Sequence, residues 1–503
     1  MSTRHQKDAM DHSLNMRTQG TVNTRQNPVR YTPPVCEPDD NGIDAVPCGR
    51  RNAFLLAATH SGAGKTTITL GLLAALMKKG LAVQPFKCGP DFIDPTLHRF
   101  VTGRTSRNLD IRMCGRSFVK QCFAQHSAQA DIAVIEGVMG LFDGADGSAA
   151  TLAKELCVPV VLIVDTRSCA ESIAAIVKGF ESLDPELTLA GVILNRVGSP
   201  RHLELLRGAI EAHCRTPVLG MMPRNSHFTI PERHLGLFMG EEAPLEENHL
   251  EELVQTITAN IDLDRLLDLC ILPEPAAINQ PDSNWLQVPD NRLENIRIGV
   301  AKDEAFCFYY QDNFDILEKL GAELVFFSPL HHQKLPGALD AIYLGGGYPE
   351  LHAAKLSANT AMLAAIKNWS LENRPLYAEC GGFMYLTQGI TDLEGNFWPL
   401  VDIFPVRSRM RQRLASLGYR LATSLDKNSL FGAATLRGHE FHYSSIEAMP
   451  AQIESCFAFD NGTKEGYRTN NTLGTYLHQH FGGNPQAAEN FIHFIRDCRN
   501  TDQ

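Results

Sequence analysis

One segment constrains the fold of this chain more than any other, the glycine-containing stretch at residues 59–67. It reads Thr-His-Ser-Gly-Ala-Gly-Lys-Thr-Thr, follows an apolar run at residues 54–58, and leads into Ile68, Leu72 and Leu76 at helical spacing. This order predicts a strand, a loop and a helix. The inward-facing N–H groups of such a loop bind phosphate, and the helix N-terminus adds partial positive charge. The segment therefore predicts a nucleoside triphosphate site.

The loop also supplies side chains for a triphosphate and a magnesium ion. Lys65 is placed to reach phosphate oxygens, and Thr66 is placed to reach phosphate and Mg²⁺. Thr59 stands where the phosphate-loop pattern has its first glycine, whereas the Gly-Lys-Thr part is retained. The predicted nucleotide-binding residues are Ser61, Gly62, Gly64, Lys65, Thr66 and Thr67.

Apolar runs typical of strands alternate with helical patterns in two stretches of the chain. They lie at residues 54–58, 83–86, 132–135, 159–164 and 189–194, and again at residues 296–300, 324–328, 341–344 and 375–378. Such alternation predicts parallel sheets with right-handed crossovers, whose ligands collect at the carboxyl ends of the strands. We therefore predict an α/β protein with two doubly wound domains.

Length and composition set the domain organisation and exclude several classes of protein. A chain of 503 residues exceeds a single hydrophobic core. We expect a disordered extension at residues 1–51, a first domain at 52–271, a linker at 272–295 and a second domain at 296–498. No apolar run is long enough to span a membrane, and the net charge of −11 disfavours a nucleic-acid binder. The 13 scattered cysteines indicate reduced thiols and a cytoplasmic protein.

Three carboxylates are expected near the phosphate loop. Glu136 ends a buried strand and is the expected Mg²⁺ ligand. Asp91 and Asp94 lie three apart in a proline-bounded loop after the second strand. Both a metal or substrate role and a solvated position are open for them. Asn195 ends a further strand, where hydrogen bonding to a base and a turn role are equally open.

Other polar residues of the first domain have no single interpretation. Asp143 and Asp146 each precede a glycine and fit turn positions. Four arginines after the aspartate loop fit either a polyanion pocket or a solvated face. They are Arg99, Arg104, Arg107 and Arg112. The charged segment at residues 230–237 has no assigned chemistry.

The second domain carries a nucleophile, oxyanion donors and a base. Cys380 lies in Leu-Tyr-Ala-Glu-Cys-Gly-Gly, a strand that turns sharply into a helix, and a helix N-terminus lowers a thiol pKa. The predicted oxyanion donors are the backbone N–H groups of Gly346, Gly347 and Gly381. His478, rather than His480, is the predicted base, roughly 100 residues downstream. The combination predicts acyl transfer from an amide.

His439 and His442, in Arg-Gly-His-Glu-Phe-His-Tyr, are close enough in sequence to suggest a metal pair. No third ligand accompanies them at a suitable spacing. We therefore predict a structural or substrate-contact role for both.

Together these motifs resemble those of the cobyrinate a,c-diamide synthase family, glutamine-dependent enzymes of cobalamin biosynthesis. The resemblance covers about residues 53–490 and rests on the loop at 59–67 and four further segments. These are Gln-Pro-Phe-Lys-Cys-Gly-Pro-Asp-Phe-Ile-Asp-Pro, Ile-Glu-Gly-Val-Met-Gly-Leu-Phe-Asp-Gly, Ala-Glu-Cys-Gly-Gly and Gly-His-Glu-Phe-His-Tyr-Ser. The halves are also similar to dethiobiotin synthetase and to class I glutamine amidotransferases. This implies a phosphate-loop NTPase fold followed by a flavodoxin-like amidotransferase fold.

The resemblance implies two centres with different chemistry. In the second domain, Cys380 attacks glutamine, ammonia is released, and water hydrolyses the thioester with His478 as base. The usual glutamate two residues after this histidine is replaced by His480, so the third member of the glutaminase site is unassigned. Phe92 occupies a loop position where relatives often carry tyrosine.

In the first domain, the resemblance implies that ATP phosphorylates a carboxylate of a macrocycle and that ammonia displaces the phosphate. Asp91, Asp94 and Glu136 then serve the metal, the phosphorylated intermediate and the substrate, and Asn195 serves the adenine. The implied cofactors are ATP and Mg²⁺. The implied partners are small molecules, namely a corrinoid or related tetrapyrrole, glutamine and ATP.

Other functions stay open at the level of sequence. The same a,c-diamidation on hydrogenobyrinate or nickel sirohydrochlorin is not separated by the motifs. A ParA-like partition ATPase would leave Cys380 and His478 without a role. A stand-alone glutaminase or peptidase would leave Lys65 and Glu136 without one.

Overall fold

A computed structural model describes most of the chain beyond the N-terminal extension. The described residues are 52–224, 232–233, 236–237, 239–240, 247–272, 296–427 and 429–501. The predicted disordered extension at residues 1–51 lies outside them, as does the predicted linker at 272–295 except for its first residue. Parts of the charged segment at residues 230–237 also lie outside.

The first part of the described chain alternates strands and helices as predicted. Its strands are β1 (Asn52–Ala58), β2 (Val83–Cys88), β3 (Arg107–Leu109), β4 (Ile132–Glu136), β5 (Val160–Asp165), β6 (Leu189–Val197), β7 (Val218–Pro223), β8 (Glu232–Arg233) and β9 (Gly236–Leu237). Its helices are α1 (Lys65–Lys78), α2 (Asp94–Thr102), α3 (Ile111–Ser127), α4 (Ala149–Leu156), α5 (Ile173–Leu183), α6 (Pro200–His213), α7 (Glu247–Asn260) and α8 (Leu263–Leu269).

Seven of these described strands form one parallel sheet in the order β3-β2-β4-β1-β5-β6-β7. Residues 53–58 of the central strand β1 are buried, as expected for a strand covered on both faces. Parallel strands end at the same edge of a sheet, so the loops after β1, β2 and β4 lie together. This arrangement confirms the predicted α/β fold class and brings the phosphate loop beside the segments that carry the predicted carboxylates.

Two glycines shape the phosphate loop. Gly62 and Gly64 have φ values of 79° and 94°, a region that favours glycine. Helix α1 begins directly after Gly64. Most of α1 is apolar because it packs between the sheet and α7, where a Cβ at Gly71 would lie 2.7 Å from the Ile257 side chain.

The second part of the described chain begins with a further set of strands. They are β10 (Ile296–Ala301), β11 (Ala322–Phe327), β12 (Ala341–Leu344), β13 (Leu376–Glu379), β14 (Thr387–Thr391), β15 (Phe397–Pro399), β16 (Phe404–Met410), β17 (Ser416–Ser424), β18 (Thr435–His442), β19 (Ser444–Ile446), β20 (Glu454–Phe459), β21 (Lys464–Thr469), β22 (Thr472–Thr475) and β23 (His478–Gln479). Its helices are α9 (Gln311–Lys319), α10 (Ala353–Ala358), α11 (Thr360–Leu371), α12 (Gly381–Leu386) and α13 (Pro485–Thr501).

Ten described strands of this part form a mixed sheet in the order β11-β10-β12-β13-β22-β21-β20-β17-β18-β23. The pairs from β11 to β22 are parallel, and the later pairs are antiparallel. A small separate sheet has the order β15-β14-β16-β19. The sequence predicted the four parallel strands β10 to β13, but it predicted neither the parallel strand β22 nor the antiparallel strands. Strands such as β17 lack the continuous apolar run of a strand buried on both faces.

An ion pair joins the two parts of the chain. The Arg107 guanidinium lies 2.9 Å from Asp312 and 2.5 Å from Asp315. Burial opposes ionisation of Asp312, but His480 and Arg107 outweigh burial and hold the pKa of Asp312 below its usual range. Arg107 belongs to β3 and Asp312 to α9, so this contact fixes the two sheets relative to each other.

Further contacts extend this junction. Helix α3 packs on β18 and on the 3₁₀ turn at Phe481–Gly483. The Tyr419 hydroxyl donates to Asp110 at 2.8 Å, and the Tyr310 hydroxyl donates to the Pro90 carbonyl at 3.1 Å. A single cluster of buried apolar side chains runs through both parts, including strands of both large sheets.

The described helices include none with the length and apolar composition needed to cross a membrane. The cysteines in the described residues form no disulfide bonds with one another. Burial of apolar side chains and buried polar contacts therefore hold the described fold together.

Replacing Arg107 by methionine should destabilise the fold, because Asp312 would stay buried without its cation. We expect the free energy of unfolding, measured by urea denaturation at pH 7, to fall by about 3 to 5 kcal/mol. As a control, Lys367→Met removes an ion pair with Asp402 whose side chains are 40% and 47% exposed. That change should cost less than about 1 kcal/mol. Equal losses in the two variants would contradict the role assigned to Arg107.

Candidate active site

The phosphate loop contacts the end of β4 through its lysine and threonine. The Lys65 ammonium donates to the Met139 carbonyl. The Thr66 hydroxyl donates to Glu136 Oε1 at 2.8 Å. Glu136 is fully buried. The structure thus brings together the predicted phosphate-binding lysine, the predicted metal-binding threonine and the carboxylate predicted at the strand end.

Lys87, to which the sequence reading assigned no role, joins the three predicted carboxylates. Its buried ammonium lies 2.5 Å from Asp94 Oδ2 and 3.3 Å from Glu136 Oε1. It also lies 3.9 Å from Asp91 Oδ2. On the other side of Glu136, Oε2 lies 2.7 Å from His98 Nε2. Lys87 is therefore the common partner of the carboxylate cluster.

Charge and burial shift the pKa values of this cluster in different directions. Burial alone would raise the pKa of Glu136, but the Lys87 ammonium and a histidine hydrogen bond hold it well below its usual range. Burial, together with repulsion from Asp91 and Glu136, raises the pKa of Asp94. Burial and repulsion by Lys87 lower the pKa of Lys65. The Thr66 hydroxyl and the carboxylates of Glu136 and Asp91 offer oxygen atoms of the kind that a divalent cation prefers.

The loop that carries Asp91 is fixed by short-range hydrogen bonds. Asp91 Oδ1 accepts from the Ile93 N–H at 2.7 Å. The Asn108 amide donates to the carbonyls of Gly89 and Asp91 at 2.9 and 2.8 Å. Gly89 has φ of 86°, which favours glycine at this turn. The second carboxylate oxygen of Asp91 is left to face Lys87.

Asn195 contacts the phosphate loop itself. Its side-chain amide donates to the Ala63 carbonyl at 2.7 Å, and a Cβ at Gly64 would lie 2.3 Å from Asn195 Nδ2. The neighbouring Arg196 donates to the Gly62 carbonyl at 3.0 Å. The end of β6 therefore braces the loop, and contact of Asn195 with a base stays a prediction.

The four arginines that follow the aspartate loop in the sequence contact different parts of the structure. Arg107 lies in the ion pair described above, and Arg104 donates to a main-chain carbonyl. Arg99 lines a separate cavity of about 300 Å³. The Arg112 guanidinium lies over the ring of Tyr419, 4.4 Å from its centroid. The four do not converge on one polyanion pocket.

Asp143 and Asp146 occupy turns. Asp143 Oδ2 accepts from the Gly140 N–H at 2.9 Å. Asp146 lies in the exposed 3₁₀ turn at Ala145–Gly147. Neither belongs to the carboxylate cluster around Lys87.

Cys380 lies at the sharp turn between β13 and α12. Its φ of 46° and ψ of −102° form a strained conformation for a residue other than glycine. Its N–H donates to the Thr475 carbonyl at 2.7 Å, which ties the turn to the end of the neighbouring strand β22. The thiol is thereby held at the carboxyl edge of the sheet and at a helix N-terminus, as the motif predicted.

His478 lies beside Cys380, and both side chains line the same cavity. Burial alone would lower the pKa of His478, but Cys380 and Glu379 outweigh burial and raise it to about 10. The ring packs against Phe92, with centroids 5.0 Å apart. A Cβ at Gly346 would lie 2.4 Å from His478 Cε1, so glycine at this position leaves room for the imidazole.

His480 takes no part in this contact. Its Nδ1 accepts from the Gly482 N–H at 3.0 Å, and its Nε2 lies 3.8 Å from Asp312. Two positions along a strand share a face, but β23 ends at Gln479 and the chain then enters the 3₁₀ turn. The turn separates His480 from the thiol.

Two of the glycines predicted as oxyanion donors lie side by side. A Cβ at Gly381 would lie 3.0 Å from the Gly347 nitrogen. Gly381 is the first residue of α12, where an N–H has no acceptor within the helix. Gly347 has φ of 152°, and a Cβ there would lie 2.2 Å from the Ala305 carbonyl oxygen. The third, Gly346, lies under the His478 ring.

One cavity of about 490 Å³ lies between the two large sheets and reaches both predicted centres. Asp91 and Met139 line it on one side, and Cys380 and His478 line it on the other. Met139 is the residue whose carbonyl holds Lys65. A single space therefore extends from the thiol to the neighbourhood of the phosphate loop.

His439 and His442 fit the structural or substrate-contact role predicted for them. His439 lines the cavity and pairs with His478 across the β18–β23 ladder. Burial and the nearby His478 lower the pKa of His439 to about 4. His442 stacks on Tyr476 with ring centroids 3.9 Å apart. Within the described residues, neither histidine belongs to a group of potential metal ligands.

The sequence reading missed the contacts of three residues in this site. Lys87 is the one charged residue of β2 and lies between Phe86 and Cys88, a pattern that signals a buried ion pair. Glu379 directly precedes the nucleophile. Phe92 lies between the two aspartates of its loop, yet only the fold could show that its ring contacts the histidine of the other half.

Comparison with known proteins matches both halves of the chain. A profile described as the CobQ/CobB/MinD/ParA nucleotide binding domain matches residues 54–238, and one described as the CobB/CobQ-like glutamine amidotransferase domain matches residues 297–486. The cobyrinate a,c-diamide synthase of Salmonella typhimurium (strain LT2) is 43% identical over 455 residues, which cover 88% of this chain and 98% of that protein.

Other relatives give the same result. The cobyrinate a,c-diamide synthase of Priestia megaterium is 42% identical over 450 residues, which cover 87% of this chain and 96% of that protein. Among solved structures, a glutamine amidotransferase from Thermotoga maritima aligns with a TM-score of 0.29 and 13% identity, over 42% of this chain and 86% of that one.

Replacing Gly346 by alanine should displace the His478 ring, because the added Cβ would lie 2.4 Å from its Cε1. We expect glutamine hydrolysis to fall by about 10²-fold or more, as loss of a positioned base would cause. Gly337→Ala is the control, since nothing lies within 4 Å of its added Cβ. Wild-type hydrolysis by Gly346→Ala, measured as glutamate release, would contradict this placement of the base.

Proposed function

Because the chain belongs to the cobyrinate a,c-diamide synthase family, we propose that its two centres divide the amidation of the a and c carboxylates of cobyrinate between them. The protein is a glutamine-dependent amide ligase of cobalamin biosynthesis. The first domain, proposed at residues 52–271, activates the carboxylate with ATP. The second, proposed at residues 296–498, supplies ammonia. The observation that carries this division is the cavity shared by Asp91 and Cys380.

Glutamine hydrolysis is assigned to Cys380 and His478. His478 removes the thiol proton, and the sulfur attacks the amide carbon of glutamine to form a tetrahedral oxyanion. The oxyanion collapses as the imidazolium protonates the leaving nitrogen, which releases ammonia and leaves a thioester. Water, deprotonated by His478, hydrolyses the thioester to glutamate and regenerates the thiol.

The oxyanion is assigned to the backbone N–H groups beside the thiol. Gly347 and Gly381 lie side by side, and the Gly381 N–H has no acceptor within its own helix. Gly346 also stays in the proposed donor set. The absence of its side chain has a second use, since it leaves room for His478.

Carboxylate activation is assigned to the phosphate loop. Its N–H groups and Lys65 hold the triphosphate of ATP, with Ser61, Gly62, Gly64, Thr66 and Thr67 as the other loop residues. A macrocycle carboxylate attacks the γ-phosphorus, ADP leaves, and an acyl phosphate forms. Ammonia then attacks the acyl carbon and inorganic phosphate leaves. The contact of Lys65 with Met139, which lines the cavity, supports placing the phosphoryl transfer at this point.

The residues Thr66, Glu136 and Asp91 fit the Mg²⁺ ion that ATP chemistry requires. Hydroxyl and carboxylate oxygens are ligands that Mg²⁺ prefers. Bound Mg²⁺ neutralises charge on the β- and γ-phosphates. Lys87 holds Glu136 in its ionised form, as the lowered pKa of that carboxyl indicates.

Asp91 and Asp94 are proposed to have different roles. Asp91 lines the shared cavity, whereas Asp94 is buried against Lys87. We therefore assign Asp91 to contact with the substrate as well as the metal. Asp94 orients the Lys87 ammonium toward the phosphorylated intermediate.

The macrocycle is assigned to the ladder formed by β17 and β18. Leu417 lies opposite Phe441 and Tyr419 lies opposite His439, so the four side chains share one face. All four line the cavity. Leu417 and Phe441 are 58% and 42% exposed, an apolar surface suited to a flat ring. Arg112, stacked on Tyr419, supplies positive charge for a peripheral carboxylate.

Small-molecule substrates and free thiols fit a cytoplasmic enzyme, and we propose that location. The cysteines in the described part of the chain form no disulfides, which suits a reducing compartment. The proposed adenine contact of Asn195 completes the nucleotide site.

The substrate is tested by mass spectrometry of the products formed with ATP, Mg²⁺, glutamine and one tetrapyrrole at a time. We expect cobyrinate to gain two amides. Preference for hydrogenobyrinate or nickel sirohydrochlorin would retain the reaction but replace the substrate. ATP hydrolysis without amidation of any ring would favour a partition ATPase and contradict the proposal.

One substitution in each centre should abolish the activity of that centre and leave the activity of the other. Cys380→Ser should lower glutamine-driven amidation by about 10³-fold or more, since the nucleophile is lost, while amidation with high ammonium continues. Lys65→Ala should stop amidation with either nitrogen source, while glutamate release persists. Loss of ammonium-driven amidation in Cys380→Ser, or unchanged amidation in Lys65→Ala, would show that the centres are wrongly assigned.

A further inference from the structure

The glutaminase centre contains a buried carboxylate next to its base. Glu379, the last residue of β13, immediately precedes Cys380. Its Oε2 lies 3.7 Å from His478 Nδ1, and both side chains are almost completely buried. Class I sites ordinarily have a glutamate two residues after the histidine, a position that His480 occupies here.

The hydrogen bonding of His478 leaves one ring nitrogen for this carboxylate. Nδ1 is buried, has no hydrogen-bond partner among the described residues, and is the ring nitrogen on the side of Glu379. The nitrogen that faces the thiol is therefore Nε2. The Nδ1–Oε2 distance of 3.7 Å is longer than a hydrogen bond. Contacts of this kind in active sites commonly shorten when substrate binds.

Glu379 is itself held in place. Its Oε1 accepts from the Tyr377 hydroxyl at 2.7 Å, and the Gln479 N–H lies 3.5 Å away. The Tyr343 phenol is also close to this carboxyl group, whose charge helps to raise the pKa of the phenol. These contacts leave Oε2 as the oxygen directed at the imidazole, which is the orientation that a partner of Nδ1–H needs.

Three other buried carboxylates of this half of the chain are already engaged. Asp312 pairs with Arg107 and lies near His480. Glu440 pairs with Arg420 at 2.7 Å. Glu465 is bonded to Thr475 and to the Tyr476 N–H, and burial raises its pKa to about 8, so it is mostly neutral at pH 7.

We propose that Glu379 is the third member of the glutaminase site, a positioning residue that fixes the orientation of His478 and stabilises its imidazolium. This inference rests on the proposed glutamine hydrolysis. Glu379 accepts a hydrogen bond from Nδ1–H and takes up no proton itself. The proton that His478 removes from Cys380 passes through Nε2 and leaves with ammonia.

The charges around His478 define the expected pH effect. The titratable groups that face it are Cys380 and Glu379 from the β13 turn and His439 from β18. A carboxylate favours the imidazolium, so its removal lowers the pKa of His478. Because the pKa of His478 is raised to about 10, the imidazolium predominates at neutral pH, and it must keep its proton in order to give it to the leaving nitrogen. The alkaline limb of the pH profile of kcat/KM for glutamine reports the loss of that proton and should therefore move to lower pH in the variant.

The test compares Glu379→Gln with the wild-type enzyme and with Glu465→Gln, a matched change of a buried carboxyl group that does not contact His478. We expect Glu379→Gln to lower kcat for glutamate release by about 10- to 100-fold, with KM nearly unchanged and the alkaline limb at lower pH. Ammonium-driven amidation should stay at the wild-type rate. Glu465→Gln should leave both the rate and the limb unchanged.

Either a wild-type rate or a decreased rate with an unmoved alkaline limb in Glu379→Gln would overturn the inference, since the second outcome indicates a merely structural role. Loss of ammonium-driven amidation would mean that the variant is misfolded. In that case Tyr377→Phe, which removes the hydroxyl group that holds Oε1, is the deciding variant. A smaller decrease in kcat for glutamate release, with the alkaline limb of the pH profile at lower pH, supports the inference. An alkaline limb at the wild-type pH overturns it. Absence of glutamine hydrolysis in the wild-type enzyme would instead contradict the proposed function.

Discussion

A single buried ammonium organises the ligase half of this protein. Lys87 extends from β2 into a space where Asp94 and Glu136 are both within hydrogen-bonding reach and Asp91 is slightly farther away. Without this cation, the three neighbouring acidic groups would repel one another or take up protons. With it, Glu136 stays ionised beside Thr66 of the phosphate loop. The neighbouring strands β1, β2 and β4 thus all lead to this one cluster of charges. The contacts within the cluster fix the loops that follow these strands.

The loop after β2 connects that centre to the other half of the molecule. Asp91 faces Lys87, while the next residue, Phe92, stacks on Phe308 at 5.0 Å with the rings nearly parallel. Phe92 also packs against His478, the base of the second centre. One short loop therefore connects the carboxylate cluster around Lys87 with the centre of Cys380 and His478, and its residues line the shared cavity.

Much of this architecture follows from patterns in the sequence, and the remainder depends on long-range packing. The phosphate loop, the parallel strands and the Cys380 turn depend on local geometry, so glycine positions and apolar runs were enough to predict them. Lys87 and Glu379 were missed because their partners are set by which strands are neighbours in the sheet. The choice of His478 over His480 depends on where β23 ends, and strand alternation by itself does not separate them.

The continuous apolar core across the junction has a consequence for how this chain can be divided. Side chains of both large sheets belong to one buried cluster, and Arg107 of the first half neutralises Asp312 of the second. Excision of either half would expose apolar surface and leave a buried charge uncompensated. The ammonia-producing half is therefore not an independent module that could be joined to any other protein. A different partner would have to reproduce this particular surface before the thiol centre could be transferred to it.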